Sequence, residues 1–472
     1  MVTGRLTTFV VVGALALMAV GGGVWPRRLL DAIRSWKNTL GGWACALGTV
    51  FFLDTIVSSA LLFALFHAST SAEYAHRFFL REAHDDSWSP MLDALDHLHR
   101  STAIPLYSQL FFREHVKFQY PPSSLVFVDA LARLTGASNM RLIVLLNRLS
   151  WCEVVLVAVA SWRLFLGALR EDWPGELPDF RLCSSLCMSL ASWLALAVGF
   201  YPLTRGYMLG QAQTTITLLV ACALLSWQTG RPKLAGVLIG LCCCLKPQWV
   251  VMCIWALVRR EWSLAVAAAT TLTVVSLVAC AAYGPLQYVD YLSVISFLSR
   301  RGESFCANQS MNGLMNRLLM IGSNTLWPGG AFPAFNRLVY WTTMASTVLI
   351  LGAAIVWRRG RKTATIDVAL VILSLTMASP IAWEHHYAVL LPIFALLLPI
   401  CIAQRPFGRY TSAYLATAFF LTSQRLDLTN ALAATHANFL QSYLYFGAFM
   451  VLIVLYRTSA VSDVSDDVTA SS

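Results

Sequence analysis

The chain has 472 residues, of which 57% carry apolar side chains and only 12% are charged, with a mean hydropathy of +0.63. A soluble domain carries about 25% charged residues, so the composition excludes a soluble globular protein and points to a membrane protein. The net charge of +10 does not build a nucleic-acid-binding face, because the basic residues gather in short connectors between apolar runs, the pattern of cytoplasmic loops.

In chain order, apolar runs predict membrane helices at about 6–24, 42–68, 141–166, 184–203, 207–228, 262–283, 337–357, 364–380, 387–404, 410–425 and 440–456. Runs of roughly 18 residues or more cross about 30 Å of hydrocarbon as helices. The lack of short alternating strands argues for a helical bundle over a barrel. Arg27-Arg28 directly behind the first run resists translocation, so that run reads as a retained helix rather than a cleaved leader. Two segments complicate the count. Residues 234–258 hold Lys246-Pro247-Gln248 between two apolar stretches, which reads either as two half-helices meeting inside the membrane or as one Pro-kinked helix. Tyr120-Pro121-Pro122 opens a helix of about 14 residues, Pro suiting a first turn, and this is short for a crossing. The expected architecture is all-α, a polytopic bundle of about 11–13 membrane helices in one domain over 1–458, with a short disordered cytoplasmic tail over 459–472.

The basic connectors are Arg27-Arg28 with Arg34 and Lys37, Arg231 with Lys233, Arg259-Arg260, Arg358 to Lys362, and Arg405 with Arg409. Placing them in the cytoplasm puts the loops 69–120, 204–206, 284–336, 381–386 and 426–439 on the opposite face. Most of the twelve cysteines lie inside apolar runs, where a thiol behaves as a small hydrophobe, and no disulfide framework is visible. The triple Cys242-Cys243-Cys244 has the wrong spacing for zinc. Six of the nine histidines fall between His67 and His115, without the spacing of a zinc protease, so no metal or other cofactor is expected.

Ionisable groups close to hydrocarbon are costly and therefore functional candidates. Trp383-Glu384-His385-His386 sits between two strongly apolar runs, and Lys246 lies inside another. Asp85-Asp86, Tyr120, Arg205, Gln211, Asn308-Gln309 and Arg317 fall where the topology brings them to the same face. Carboxylates to take a proton, cations to hold a phosphate and amides to grip hydroxyls suit a substrate with one greasy and one polar end. The plainer reading keeps the His and Trp in the headgroup layer and the loop carboxylates in water.

Five motifs in order, Phe118-Gln119-Tyr120-Pro121-Pro122, Gly210-Gln211, Leu245-Lys246-Pro247-Gln248, Asn308-Gln309-Ser310-Met311-Asn312-Gly313 and Ser379-Pro380-Ile381-Ala382-Trp383-Glu384-His385-His386, resemble glycosyltransferase family 87. The resemblance implies a GT-C-type membrane enzyme with its active site on the extracytoplasmic face of the plasma (inner) membrane. It implies a hexosyltransferase that moves a sugar, with mannose the one favoured, from a polyprenyl-phosphate donor to a lipid or glycan acceptor with inversion and no metal. The expected partners are that donor, a glycolipid or glycan acceptor and membrane lipid. A transporter or flippase of lipid-linked sugars is the alternative, although the internal symmetry common in transporters is not visible.

Family members usually carry the catalytic Asp early in the first outer loop, ahead of a Leu-Tyr pair. Leu106-Tyr107 is present here, but the usual spacing falls on Ser89. Asp86 is the nearest candidate for the base, with Asp93 and Asp96 open and Asp85 behind them. Tyr120, Gln211, Lys246, Asn308, Gln309, Arg317, Trp383, Glu384, His385 and His386 are the expected substrate-binding residues, with Lys246 and Arg317 as phosphate or sugar contacts.

Overall fold

A computed structural model describes residues 47–48, 50–67, 70–100, 104–172, 183–326 and 332–470; the expected helix at 6–24 lies outside the described residues. The described chain is helical, and the β pairing found within it is a single isolated bridge between Asn308 and Trp383.

A π-helical turn at Phe52–Val57 leads into α1 (Ser58–Phe66). The first long loop then folds into α2 (Ser71–Phe79), α3 (Trp88–His99) and α4 (Leu106–Leu110), and the short helix α5 (Leu125–Thr135) follows Pro121-Pro122. The bundle continues through α6 (Asn139–Asp172), α7 (Cys183–Gly199), α8 (Tyr201–Met208) and α9 (Gln213–Gln228). Next come α10 (Pro232–Leu245), α11 (Val250–Arg259) and α12 (Trp262–Tyr283). The second long loop supplies α13 (Leu286–Arg301) and α14 (Met311–Leu318). The last elements are α15 (Arg337–Val356), α16 (Thr365–Ala378), α17 (Leu390–Gln404), α18 (Thr411–Ser423) and α19 (Tyr443–Ala470).

Among the described residues, five helical stretches are long and apolar enough to cross a membrane: Asn139–Glu171, Trp262–Tyr283, Arg337–Val356, Glu384–Gln404 and Asn438–Ala460. The bent pair Cys187–Gly199 and Tyr201–Met208, angled at 63°, makes a sixth. Other apolar helices are shorter, and Pro or polar residues interrupt some of them. The segment around Lys246 is one such interruption. Lys246 is extended (φ −140°, ψ 114°) and is followed by a single 3-10 turn, Pro247–Trp249, before α11 begins. Two half-helices therefore meet at this lysine.

The helix ends sort into two groups. Arg259, at the end of α11, donates to the carbonyls of Trp357 and Arg361 and approaches Asp367 at 3.4 Å; Arg358 also reaches Asp367, at 3.3 Å, and Ser459 donates to it at 2.7 Å. This network ties the basic connectors 259–260 and 358–362 together at one end of the bundle. The polar motifs gather at the other end, where α6 and α9 begin and α12 finishes.

At that second end the two long loops build a core of their own. Trp88, Met91, Leu92 and Leu95 of α3 pack with Leu106, Tyr107 and Leu110 of α4, Leu125 and Val128 of α5, and Tyr291 and Val294 of α13. Asp290 of α13 joins the loops by accepting from the backbone N–H of Tyr107 (2.7 Å) and Ser108 (2.9 Å) and from Ser108 Oγ (2.7 Å). A carboxylate at these first N–H groups satisfies donors that helix α4 leaves open and complements its dipole. The loops thus form a packed layer over the bundle end, and this layer holds the site in place.

Candidate active site

The segment His84 to Ser87 runs alongside Met208 to Gly210. His84 N donates to Met208 O (2.7 Å), Asp86 N to Leu209 O (2.9 Å) and Ser87 N to Gly210 O (3.0 Å). So close an approach requires glycine: Gly210 has φ +66°, and a Cβ there would lie 2.2 Å from His84 O. The next residue, Gln211, donates its side-chain amide to the Asp86 carboxylate. Its oxygen accepts from Ser87 Oγ (2.9 Å) and Tyr120 OH (3.1 Å), and those two hydroxyls are 2.6 Å apart. Three motifs far apart in sequence are joined by one amide.

Asp86 is open to solvent on one side, yet the packed layer around it withdraws enough water to push its carboxyl above the usual carboxylate range. The Gln211 amide, the Arg205 guanidinium and the Lys117 ammonium pull the other way, and Asp85 adds a smaller upward push. A carboxylate with a raised pKa and an open side is suited to take a proton.

Glu384 enters from the opposite wall. Gln309 N donates to Ala382 O (2.7 Å) and Glu384 N to Ala307 O (3.0 Å), and these bonds pin the 382–384 strand of chain against 307–309. Tyr201 OH donates to Glu384 Oε2 at 2.7 Å. Arg205, one turn along α8 from Tyr201, lies in electrostatic range of both Asp86 and Glu384. Its guanidinium donates to Tyr74 OH at 3.2 Å, and it has no ion pair among the described residues.

His385 lies nearly parallel to Trp383 (8° between planes, centroids 6.5 Å apart) and edge-on to His386. His386 Nε2 sits 2.6 Å from Lys246 Nζ, which also donates to Gln213 Oε1 at 2.8 Å. With Nε2 accepting from the ammonium, the imidazole proton resides on Nδ1. That nitrogen is buried and has no partner among the described residues.

The remaining expected residues fall into two groups. Asn308, Gln309 and Arg317 are at most 1% exposed, and their side chains are committed to the protein itself. Asn308 Nδ2 donates to Glu303 O (2.8 Å) and its Oδ1 accepts from Ala382 N (2.9 Å). Gln309 Nε2 donates to Gln441 O (2.7 Å), and Arg317 donates to Asn308 O (3.0 Å) and Ser442 Oγ (2.6 Å). These residues frame the Glu384 loop. Asp93 and Asp96 lie further along α3. Asp96 accepts from Asn139 at 3.1 Å, while Asp93 faces Asp96, Glu114 and Asp85. Neither joins the Gln211 network.

Sequence reasoning did not single out Ser87, Lys117, Tyr201, Gln213 or Glu303. Lys117 directly precedes the Phe118 motif and Gln213 follows Gln211 by two, so adjacency carried a signal for these. Tyr201 and Glu303 had none. Among the described residues, no three His, Cys, Asp or Glu side chains converge as a metal site.

The sequence profile of glycosyltransferase family 87 matches residues 118–380, more than half of the chain. The protein belongs to glycosyltransferase family 87. The matched stretch contains the motifs at Phe118–Pro122, Gly210-Gln211, Leu245–Gln248 and Asn308–Gly313 and ends at Pro380, inside the fifth. Two relatives come from Mycolicibacterium smegmatis. A polyprenol-phosphate-mannose-dependent alpha-(1-2)-phosphatidylinositol pentamannoside mannosyltransferase is 29% identical over 44% of this chain and 47% of its own length. A polyprenol-phosphate-mannose-dependent alpha-(1-2)-phosphatidylinositol mannoside mannosyltransferase is 26% identical over 73% of this chain and 76% of its own. A Mycobacterium tuberculosis protein of the latter description is 25% identical over 59% of this chain and 61% of its own. The chain thus spans about half the length of the first of these relatives. No solved structure matches.

Proposed function

We propose that this family 87 protein is a membrane hexosyltransferase that moves mannose from a polyprenyl-phosphate donor to a lipid or glycan acceptor. The observation that carries the reading is Arg205, a cation without an ion pair among the described residues, facing Asp86 from one loop and Glu384 from another. A second cation, Lys246, is held by Gln213 and His386, and both cations lie in electrostatic range of His385. A base and two cations are the groups that transfer from a sugar phosphate needs.

In the proposed step the acceptor hydroxyl oxygen attacks the anomeric carbon and Asp86 takes its proton. The bond from that carbon to the phosphate oxygen breaks, and its electron pair leaves with the polyprenyl phosphate. Attack opposite the leaving group inverts the anomeric centre. Arg205 and Lys246 hold the departing phosphate, a preorganised electrostatic contribution, and binding both substrates in line adds proximity. Trp383, Glu384, His385 and His386 line the sugar, with Glu384 orienting hydroxyls rather than acting as the base. Asn308, Gln309 and Arg317 act by holding that wall. Asp93 and Asp96 are secondary candidates for the base.

The basic connectors at the far end support a cytoplasmic assignment there, which leaves the site on the extracytoplasmic face of the plasma membrane. Residues 1–458 are proposed to form the one catalytic domain; the segment 459–472, expected as a disordered tail, continues α19 as far as Ala470. The test is transfer from polyprenyl-phosphate [14C]mannose in membranes carrying Asp86→Asn, Asp93→Asn or Asp96→Asn. Asp86→Asn is expected to lower the rate by about 10²- to 10⁴-fold, with the other two close to wild type. A wild-type rate for Asp86→Asn rejects Asp86 as the base.

A further inference from the structure

Two arginines meet at Tyr74, on the buried face of α2. Arg205 Nη1 donates to the Tyr74 hydroxyl oxygen at 3.2 Å, and Arg425, on the turn after α18, donates to the same oxygen. Both guanidiniums also lie over the Tyr74 ring, at 5.5 Å and 5.1 Å from its centroid. Through its other terminal nitrogen Arg425 pairs with Asp427 at 2.7 Å, and its side chain is 24% exposed. Arg425 lies beyond the stretch that matches the family profile, and the transfer step above does not use it.

The turn that carries Arg425 is tied down along its length. Ser423 Oγ and Gln424 Nε2 donate to the Asp54 carboxylate at 2.6 Å and 2.8 Å, at the π-helical turn before α1. Arg425 N donates to Ser71 Oγ (3.0 Å), and Leu426 N donates to Tyr443 OH (3.2 Å). The fold thus fixes two like charges at one oxygen, where they repel each other. Asp427 answers only one of them. Glu384 lies in electrostatic range of Arg205 but is bonded to Tyr201. An anion between the guanidiniums relieves the repulsion and takes up N–H groups that Arg205 leaves unused.

The Tyr74 hydroxyl itself lacks an acceptor. Tyr74 is 4% exposed, and a guanidinium only donates, so neither arginine can receive the phenolic hydrogen. Among the described residues nothing else receives it, and a buried donor left unmade is costly. We propose that Arg205, Arg425 and Tyr74 form the cradle for the phosphate of the polyprenyl-phosphate donor, with Arg425 a substrate-binding residue outside the five motifs. The charge on that phosphate grows during transfer. It enters as a diester with one negative charge and departs as a monoester that can carry two. Two guanidiniums and a phenolic O–H suit the departing form better than the bound donor, and that difference is what speeds the step. The inference rests on the reading of this protein as a polyprenyl-phosphate-dependent transferase with Arg205 on the phosphate.

The test reads binding, so that it does not require transfer. The full-length protein in detergent is titrated by microscale thermophoresis with farnesyl phosphate, with farnesol, which lacks the phosphate, and with phosphatidylinositol. Wild type is expected to bind farnesyl phosphate more tightly than farnesol. Arg425→Gln is expected to weaken farnesyl phosphate about tenfold and Tyr74→Phe about fivefold, with farnesol and phosphatidylinositol unchanged in both. A purely structural Arg425 would instead weaken farnesyl phosphate and farnesol equally, and that result overturns the proposal. Unchanged affinity for farnesyl phosphate, or a loss confined to phosphatidylinositol, overturns it as well. If Arg425→Gln does not fold, Tyr74→Phe, which keeps the ring and removes only the hydroxyl, decides alone. Failure of the transferase reading would appear separately, as wild-type membranes that move no mannose from the polyprenyl-phosphate donor.

Discussion

The side-chain amide of Gln211 donates to the Asp86 carboxylate while its oxygen accepts from Ser87 and Tyr120. The amide cannot rotate without exchanging donor for acceptor at both ends, so the hydroxyl pair fixes which face Asp86 receives. A bond to the charged form of Asp86 holds its pKa down. Gln211→Leu removes that bond, and the folded-state pKa of Asp86 rises further. The acid limb of the transfer profile is therefore expected to move to higher pH, with a rate loss of about tenfold below neutrality, since a hydrogen bond to a charged group contributes about 1.5–3 kcal/mol. An acid limb identical to wild type in a rate-versus-pH series would refute the role given to Gln211.

Gly210 makes the approach of these two segments possible. Gly210→Ala puts a Cβ 2.2 Å from His84 O at a φ of +66°, and the contact is backbone, which has no rotamer to yield. The strain of a positive φ alone costs about 1–3 kcal/mol at a non-glycine residue. The variant is expected to unfold at lower temperature in detergent and to lose transfer as the 84–87 segment separates from 208–210. Unchanged melting and unchanged transfer together would contradict this account.

Lys246 should affect the donor more than the acceptor. Its ammonium is held by Gln213 and His386 at the break between α10 and α11, at the site end of the bundle. Lys246→Met keeps much of the stem but removes the charge, so the KM for polyprenyl-phosphate mannose is expected to rise about tenfold, the effect of a loss near 1.4 kcal/mol. The KM for the acceptor is expected to stay near wild type. Initial rates against each substrate separate the two, and a rise confined to the acceptor would move Lys246 out of the donor site.

Arg317 is expected to behave as a frame residue. It is 1% exposed, both Nη1 and Nη2 donate to Asn308 O, and Nη2 also donates to Ser442 Oγ. Lysine cannot reproduce that fork, and truncation leaves buried carbonyls without a donor. Arg317→Lys should lower the melting temperature in detergent, while the folded fraction keeps the wild-type KM for the donor. A raised donor KM with unchanged melting would return Arg317 to the phosphate.

Hydropathy and break residues made the bundle readable. The half-helices around Lys246 were visible as apolar stretches either side of a Lys-Pro pair, and the short helix after Pro121-Pro122 appears as Leu125–Thr135. The five motifs were equally visible as polar residues in the wrong surroundings. Their roles were not. Asn308, Gln309 and Arg317 looked like Gln211 and Lys246 in sequence, each a polar residue beside an apolar run. The structure separates them by partner: the first three are tied to Ala382, Gln441 and Ser442, while Gln211 faces Asp86.

The sequence by itself therefore determined the helical membrane architecture, the segregation of basic connectors and the family. Those depend on local quantities, namely the apolar content of each run, the charge between runs and the order of short motifs. Only the tertiary structure decided which carboxylate sits with Gln211, which amides serve the frame, and that Arg205 and Arg425 meet at Tyr74. Each of these is a contact between residues distant in the chain, set by how two long loops pack on one end of the bundle. A hydrogen bond between such residues leaves no periodicity in the sequence for a local pattern to reveal.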